Sequence, residues 1–327
     1  MNARPIACAA LTLALAGCDD YGLLCEGNLV DACSKVRDLA TVVTVQLGDE
    51  AVATGNAIIG QGGALGNKGR MEASFRAKVT SKGSPQFDNV TVRTDATVGS
   101  STFGVDTRPA TSFAGDFALR VSRGDRVGDT RIAALDLIGG FSVTPHLDGG
   151  SIETNGSSFG VSLGARLGIL QETNSLPAVS LTGMFRTLPK FYATMQSLPT
   201  DSGGSVTLSL NNGEILTTGW RLAASKQLGR FGISGGLGRE TYDGTVQIAV
   251  DASSIPGGSE TINLTARRNT AFVGGSLGMG RATLAAELGS VFGGKIPSLN
   301  NTFQESPDAA RAYLTLGVRL PIGKQPE

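Results

Sequence analysis

A strict two-residue alternation returns along most of this chain. In Met71 to Thr80, the apolar residues Met71, Ala73, Phe75, Ala77 and Val79 are separated by Glu72, Ser74, Arg76, Lys78 and Thr80. A strand points successive side chains to opposite faces, so such a segment has one greasy and one polar face. The alternation is cleanest in Ser158 to Ile169, where Phe159, Val161, Leu163, Ala165, Leu167 and Ile169 alternate with Ser, Gly and Arg166. It recurs in Phe113–Ser122, Ala133–Val143, Val179–Arg186, Trp220–Ser225, Phe231–Glu240, Arg268–Met279, Ala282–Phe292 and Ala310–Ile322. These segments predict about ten strands.

Alternation alone does not say which face is wet, since a soluble sandwich alternates with its greasy face inward. Several segments reach the ~9–11 residues that a tilted membrane-crossing strand needs, whereas globular strands average ~5–6. The polar faces are Gly, Ser, Thr and Ala with single charges, which suits a crowded lumen. The 46 glycines fit strand and close backbone approach better than helix. Links alternate in length. Lys82–Ala110, Thr144–Ser157, Pro189–Leu216 and Gly294–Asp308 are long. Arg123–Asp129, Gln171–Pro177, Gly229-Arg230 and Gly280 are short, and Asp251–Gly258 caps an extended hairpin. Outer-membrane barrels keep short turns in the periplasm and long loops outside. The expectation is an all-β, antiparallel, up-and-down transmembrane barrel of about ten strands. Promoting Val90–Val92 and Val206–Leu210 to barrel strands gives a twelve-strand alternative.

The first residues read as an export signal: a positive start, then an apolar run from Ile6 to Ala16. Ala14-Leu15-Ala16 suits the ordinary peptidase, and Leu15-Ala16-Gly17-Cys18 reads equally as a lipobox with Cys18 acylated. In the second case Cys25 and Cys33 remain as an even pair able to form a disulfide. The expected division is a signal over 1–17, a periplasmic or plug segment over 18–69, a barrel over 70–323 and a tail over 324–327. Within the second unit, Ser34–Asp49 reads as a short helix or a strand, and the Gly-rich stretch to Gly69 as a lumen plug or a periplasmic segment. The expected bridge restrains a small periplasmic loop.

The signal, the alternating segments and the link rhythm together resemble bacterial outer-membrane β-barrel proteins of porin-like kind. The resemblance covers roughly residues 70–323 and carries no family-specific motif. It implies an outer-membrane location, contact with membrane lipid and insertion by the barrel-assembly machinery. Tyr313-Leu314-Thr315-Leu316-Gly317-Val318-Arg319-Leu320-Pro321-Ile322 looks like the closing strand that this machinery reads, although the chain runs on to Glu327 instead of ending on an aromatic residue.

Alternation places charges on the inner faces: Arg76, Lys78, Arg120, Arg166, Arg186, Arg221, Arg268, Arg311 and Arg319, with Glu72, Asp116, Asp136, Glu240 and Glu287. In a barrel this narrow they read first as Arg–carboxylate networks that close the lumen and hold strand register. The rival reading is a narrow path favouring anions. His146, the single histidine, stands near Asp148 on a long link, which makes a barrel hydrolase the minor alternative. Phe113, Phe141, Phe159, Phe185, Trp220 and Phe231 lie near strand ends and suit a sparse aromatic girdle. No metal, cofactor or catalytic role is expected, and the balance of 28 basic against 28 acidic residues argues against nucleic acid. The leading expectation is a channel or uptake barrel for small solutes or hydrophobic molecules, with Asn56–Gly69 as plug. The alternative is a closed structural or adhesive barrel presenting its long loops.

Overall fold

A computed structural model describes residues 27–54, 59–65, 71–87, 89–144, 158–252 and 257–323. A 3-10 turn, Gly27–Leu29, leads into helix α1 (Val30–Thr54). Ten long strands follow: β1 (Met71–Gln86), β2 (Thr102–Ser122), β3 (Ala134–Thr144), β4 (Ser158–Leu170), β5 (Ala178–Pro199), β6 (Ser205–Leu228), β7 (Phe231–Ala252), β8 (Gly258–Met279), β9 (Ala282–Lys295) and β10 (Arg311–Ile322). Each pairs antiparallel with the next. β10 returns to β1, from Met71 opposite Ile322 to Thr80 opposite Tyr313. The sheet is therefore a closed ring, which leaves no unpaired edge around its lower half.

The strand count follows the ten-strand expectation. Val206–Leu210 is the first part of β6, and among Val90–Val92 the described pairing is one parallel bridge from Val92 to Thr200. The links, by contrast, are shorter than the sequence suggested. β1 continues to Gln86 and β2 already starts at Thr102. β5 runs to Pro199 and β6 begins at Ser205. On the short-turn end, the β2–β3 link is longer than expected and carries a ribbon of Asp125–Val127 paired with Thr130–Ile132.

α1 occupies the lumen. Its sequence is rich in Val and Thr, which lowers helix propensity. A closed ring offers no free strand edge to pair with, so a segment inside it must satisfy its own backbone, and a helix does so. Val36, Leu39, Ala40, Val43 and the polar Asp31, Lys35 and Thr44 are all buried, so the helix is enclosed on every side. α1 is not apolar enough to cross a membrane as a lone helix. The chain then passes through the lower lumen: Ile59 and Leu65 are buried there, Gly62 N–H donates to Ser225 Oγ at 2.8 Å, and Leu65 N–H donates to Asp136 Oδ2 at 2.9 Å.

Candidate functional site

The lower lumen is an ionic network built on the inner strand faces. Arg166 donates from Nε and Nη2 to Asp136 Oδ2 at 3.0 and 2.8 Å, and the two residues face each other across the β3–β4 ladder. Arg76 meets Asp116 at 2.7 Å between β1 and β2. Arg319 faces Glu72 at 3.6 Å across the β10–β1 seam. Other pairs skip strands. Arg186 on β5 reaches Glu240 on β7 at 3.0 Å, over Gly219, where a Cβ would collide with the Glu240 carboxylate. Arg221 on β6 reaches Glu287 on β9, which also accepts from Tyr313 Oη at 3.0 Å. Charge-assisted pairs of this kind fix register and tie opposite walls together.

The helix is seated on the top of this network. Asp49 accepts from Arg268 Nε at 3.2 Å, Arg311 Nη1 at 3.1 Å and Tyr242 Oη at 2.9 Å. Arg268 is fully buried and donates in addition to the carbonyls of Asp308 and Ala309, both at 2.7 Å. Lys78 Nζ donates to the Glu50 carbonyl at 3.0 Å, placing a cation on carbonyls near the C-terminal end of α1, where the helix dipole favours it. Gly48 packs on the Tyr242 ring so closely that a Cβ would overlap it.

Above Asp49 the lumen changes character. The inward residues of β6, β7 and β8 become Val206, Leu208, Leu210, Val246, Ile248, Val250 and Ile262, which pack on the helix as one apolar core. At the helix start, Asp31 pairs with Lys35 at 2.7 Å and accepts from the backbone N–H groups of Arg93 and Gly99. Asp38 accepts from Asn300 N–H, Asn301 N–H and Asn301 Nδ2 at 2.7–2.8 Å, which ties the β9–β10 link to the helix. Burial pushes the Asp38 carboxyl above its ordinary value, against the lowering effect of those hydrogen bonds.

The outer surface inverts at the same level. Below it the outward residues are apolar and bare: Leu163 is 67% exposed, and Phe231 and Val273 are each 64% exposed. Above it β7 turns Thr241, Asp243, Thr245 and Gln247 outward, and β8 turns Thr261, Asn263 and Thr265. On β7 the outward apolar residues run from Phe231 to Leu237 and Arg239 marks the edge; Phe231 to Arg239 spans about 27 Å along the strand, which matches a tilted bilayer crossing. A closed ring wearing a continuous apolar belt over a charged lumen has one stable surrounding, a bilayer. The chain is an outer-membrane β-barrel. Its belt contacts membrane lipid; barrels of this class keep short turns on the periplasmic side and long loops outside.

No family model matches the chain, and no curated protein matches it in sequence. Its fold is similar to the translocator domain of the autotransporter NalP from Neisseria meningitidis, at 12% identity over 88% of this chain and 99% of that one, with a TM-score of 0.46. It is also similar to the outer membrane protease OmpT from Escherichia coli, at 9% identity over 78% and 94%, TM-score 0.36. A Pseudomonas aeruginosa FadL homologue overlaps at 7% identity over 85% and 98%, TM-score 0.31.

Each inner-face charge named from the sequence faces the lumen of this barrel, with Arg120 half-buried at the lower rim opposite Asp136. Among the aromatics, Phe141 and Phe159 stack at 6.1 Å on the outer surface, and Trp220 stands level with Arg239 at the upper belt edge. Sequence reasoning missed Asp31, Asp38, Asp49, Glu50 and Tyr242. Their roles depend on where α1 sits, and the one available signal was the cluster of acidic residues within a Val-rich run. Cys33 is disulfide-bonded. It lies on the first turns of α1, at the long-link end, so the bridge involves the helix and not a short loop alone. Cys18, Cys25 and His146 lie outside the described residues.

Proposed function

We propose that the barrel works closed, as a structural or adhesive scaffold that holds the wall above the membrane and its long links at the cell surface, without catalysing a reaction. One observation carries this reading: α1 fills the upper lumen and is clamped at Asp49 by Arg268, Arg311 and Tyr242. The lower lumen is crossed by residues 59–65 and by paired charges, which offers no route to an apolar molecule. Insertion by the barrel-assembly machinery, acting on β10, belongs to the same reading. The test is conductance of purified protein in a planar bilayer. The wild type is expected to show no steady current. A steady wild-type current would overturn the closed scaffold and favour the small-solute channel.

A further inference from the structure

At the upper edge of the apolar belt, strand register sets outward side chains in two rows. The lower row runs Trp220, Arg239, Asn269 and Phe292 across β6 to β9, and the upper row runs Thr241, Arg267 and Lys295 across β7 to β9. Directly beneath the lower row the outward face is apolar, where Leu222 opposes Leu237 and Leu237 opposes Ala271. Arg239, Arg267 and Lys295 are exposed, and among the described residues none of them stands within ion-pair distance of a carboxylate. Asp243, one row higher on β7, accepts from Thr265 Oγ1 at 2.8 Å instead. A bulge puts Lys295 opposite Arg267. From Phe292 to Lys295 β9 advances three residues, while β8 advances two from Asn269 to Arg267. Gly293 and Gly294 absorb the extra residue at φ 51° and 103°, and a Cβ at Gly294 would run into the Arg267 carbonyl. Without the bulge, Gly294 would oppose Arg267 and the two cations would not meet.

We propose that Arg239, Arg267 and Lys295 form a site for the phosphate of an anionic membrane lipid, in the leaflet that meets the long-link end of the barrel. Like charges directly opposite each other on neighbouring strands repel. Salt water screens that repulsion, but beside hydrocarbon the dielectric falls and an anion from outside the chain relieves it. The level of the site decides which anion. Successive outward residues on a strand stand about 7 Å apart, and the headgroup layer of a leaflet is about 5–7 Å thick. With the lower row at the top of the apolar belt, Arg267 and Lys295 lie in the headgroup layer. Arg239, diagonal to Arg267 at about 7–8 Å, reaches into it from below. Guanidinium groups bind phosphate oxygens two at a time, and the lysine adds a point charge. Trp220 flanks Arg239 at the level where such rings settle in a membrane. The acyl chains of the same lipid rest on Leu222, Leu237 and Ala271, directly beneath the phosphate. A free phosphate would leave that apolar row unused. A second copy of the chain would bring the same three cations and be repelled.

Native mass spectrometry of the purified barrel in neutral detergent tests the site. The probe is dioleoyl phosphatidylglycerol, with dioleoylglycerol as the lipid without phosphate and glycerol phosphate as the headgroup without chains. The wild type is expected to retain phosphatidylglycerol and neither comparator. Arg239→Gln, Arg267→Gln and Lys295→Gln are each expected to weaken retention about fivefold. Lys295→Arg is expected to keep it. Lys295→Glu, which gives Arg267 a partner within the chain, is expected to lose it. Arg281→Gln, exposed in the β8–β9 turn at the other belt edge, is the control and is expected to bind as the wild type does. A heat-dependent gel shift in lipid-free detergent confirms that each variant is folded. Equal retention by the wild type and the three Gln variants overturns the site. Equal retention of dioleoylglycerol would mean that the belt alone holds the lipid, and equal binding of glycerol phosphate would assign the cations to a soluble anion. A dimer that disappears in the Gln variants would assign them to a second copy. Each of these three results also overturns the proposal.

Discussion

Asp49 holds two guanidinium groups and a phenol in a space that water does not reach freely, so its removal leaves Arg268 as a buried charge short of a counter-ion and Arg311 facing Glu305 at 3.6 Å. Breaking a buried pair by deleting one partner costs about 3–5 kcal/mol. Asp49→Ala is therefore expected to lower the temperature of the heat-dependent gel shift strongly, while Arg267→Ala, on the outer face of β8 beside Arg268, leaves it unchanged. Equal shifts would show that the clamp does not hold the fold. Asp38 adds a pH effect. Burial raises its carboxyl pKa in the folded barrel, so the folded state binds the proton more readily than the unfolded chain. Its contribution to stability is full below the ordinary carboxylate range and is lost as pH rises through the raised value. Lys35 and the Asn301 amide face the same carboxylate and oppose the shift without reversing it. Asp38→Asn keeps an acceptor for the Asn301 N–H and is expected to flatten the slope of thermal stability over that acid window. An unchanged slope would assign it to other groups.

Strands β7 and β8 explain why the lower half was legible in the sequence and the upper half was not. On β7 the apolar residues are Phe231, Ile233 and Leu237, then Val246, Ile248 and Val250. The period stays at two, but the phase slips by one residue near Tyr242. Below that level the apolar residue must face lipid, and above it the apolar residue must face α1. The broken phase made the segment look as if the strand ended at Glu240. β8 slips in the same way between Ala266 and Ala271. β6 keeps Val206, Leu208, Leu210, Leu216, Trp220 and Leu222 in one phase, because a bulge between Asn211 and Glu214, with Asn212 at φ 48°, moves that phase from inside to outside, while Ile215 turns inward. The inner charges were readable from parity alone, whereas their partners on α1 required knowing that a Val- and Thr-rich segment becomes helical once no strand edge is open to it. The water line so defined is testable. Leu163→Arg, outward in the middle of β4, is expected to cost about 2–4 kcal/mol and to impair assembly. Gln247→Arg, outward on β7 above the line, is expected to be neutral in the same gel-shift assay. If both are tolerated, the belt is not in lipid.

At the scale of the whole molecule the barrel is two storeys with opposite solvents. The membrane storey has an apolar exterior and a closed ring, and its lumen pairs form without the helix, between adjacent strands as in Arg166–Asp136 and across strands as in Arg186–Glu240 and Arg221–Glu287. The upper storey has water outside, and its apolar interior is completed by Val36, Leu39, Ala40 and Val43 of α1. Removing the helix exposes Val206, Leu208, Leu210, Val246, Ile248 and Val250 to water on their inner face and leaves the upper parts of β5–β8 without a core. The lower storey keeps its lipid belt and all ten strand pairings. A chain lacking Gly27–Thr54, inserted in detergent or bilayer, is therefore expected to be trimmed by trypsin in the upper halves of β5–β8 while the belt segments stay protected. The wild type should resist over both storeys under the same conditions. Equal resistance in the two proteins would mean that the upper wall stands without its helix. Complete digestion of the deleted chain would mean that the lower ring depends on the helix as well.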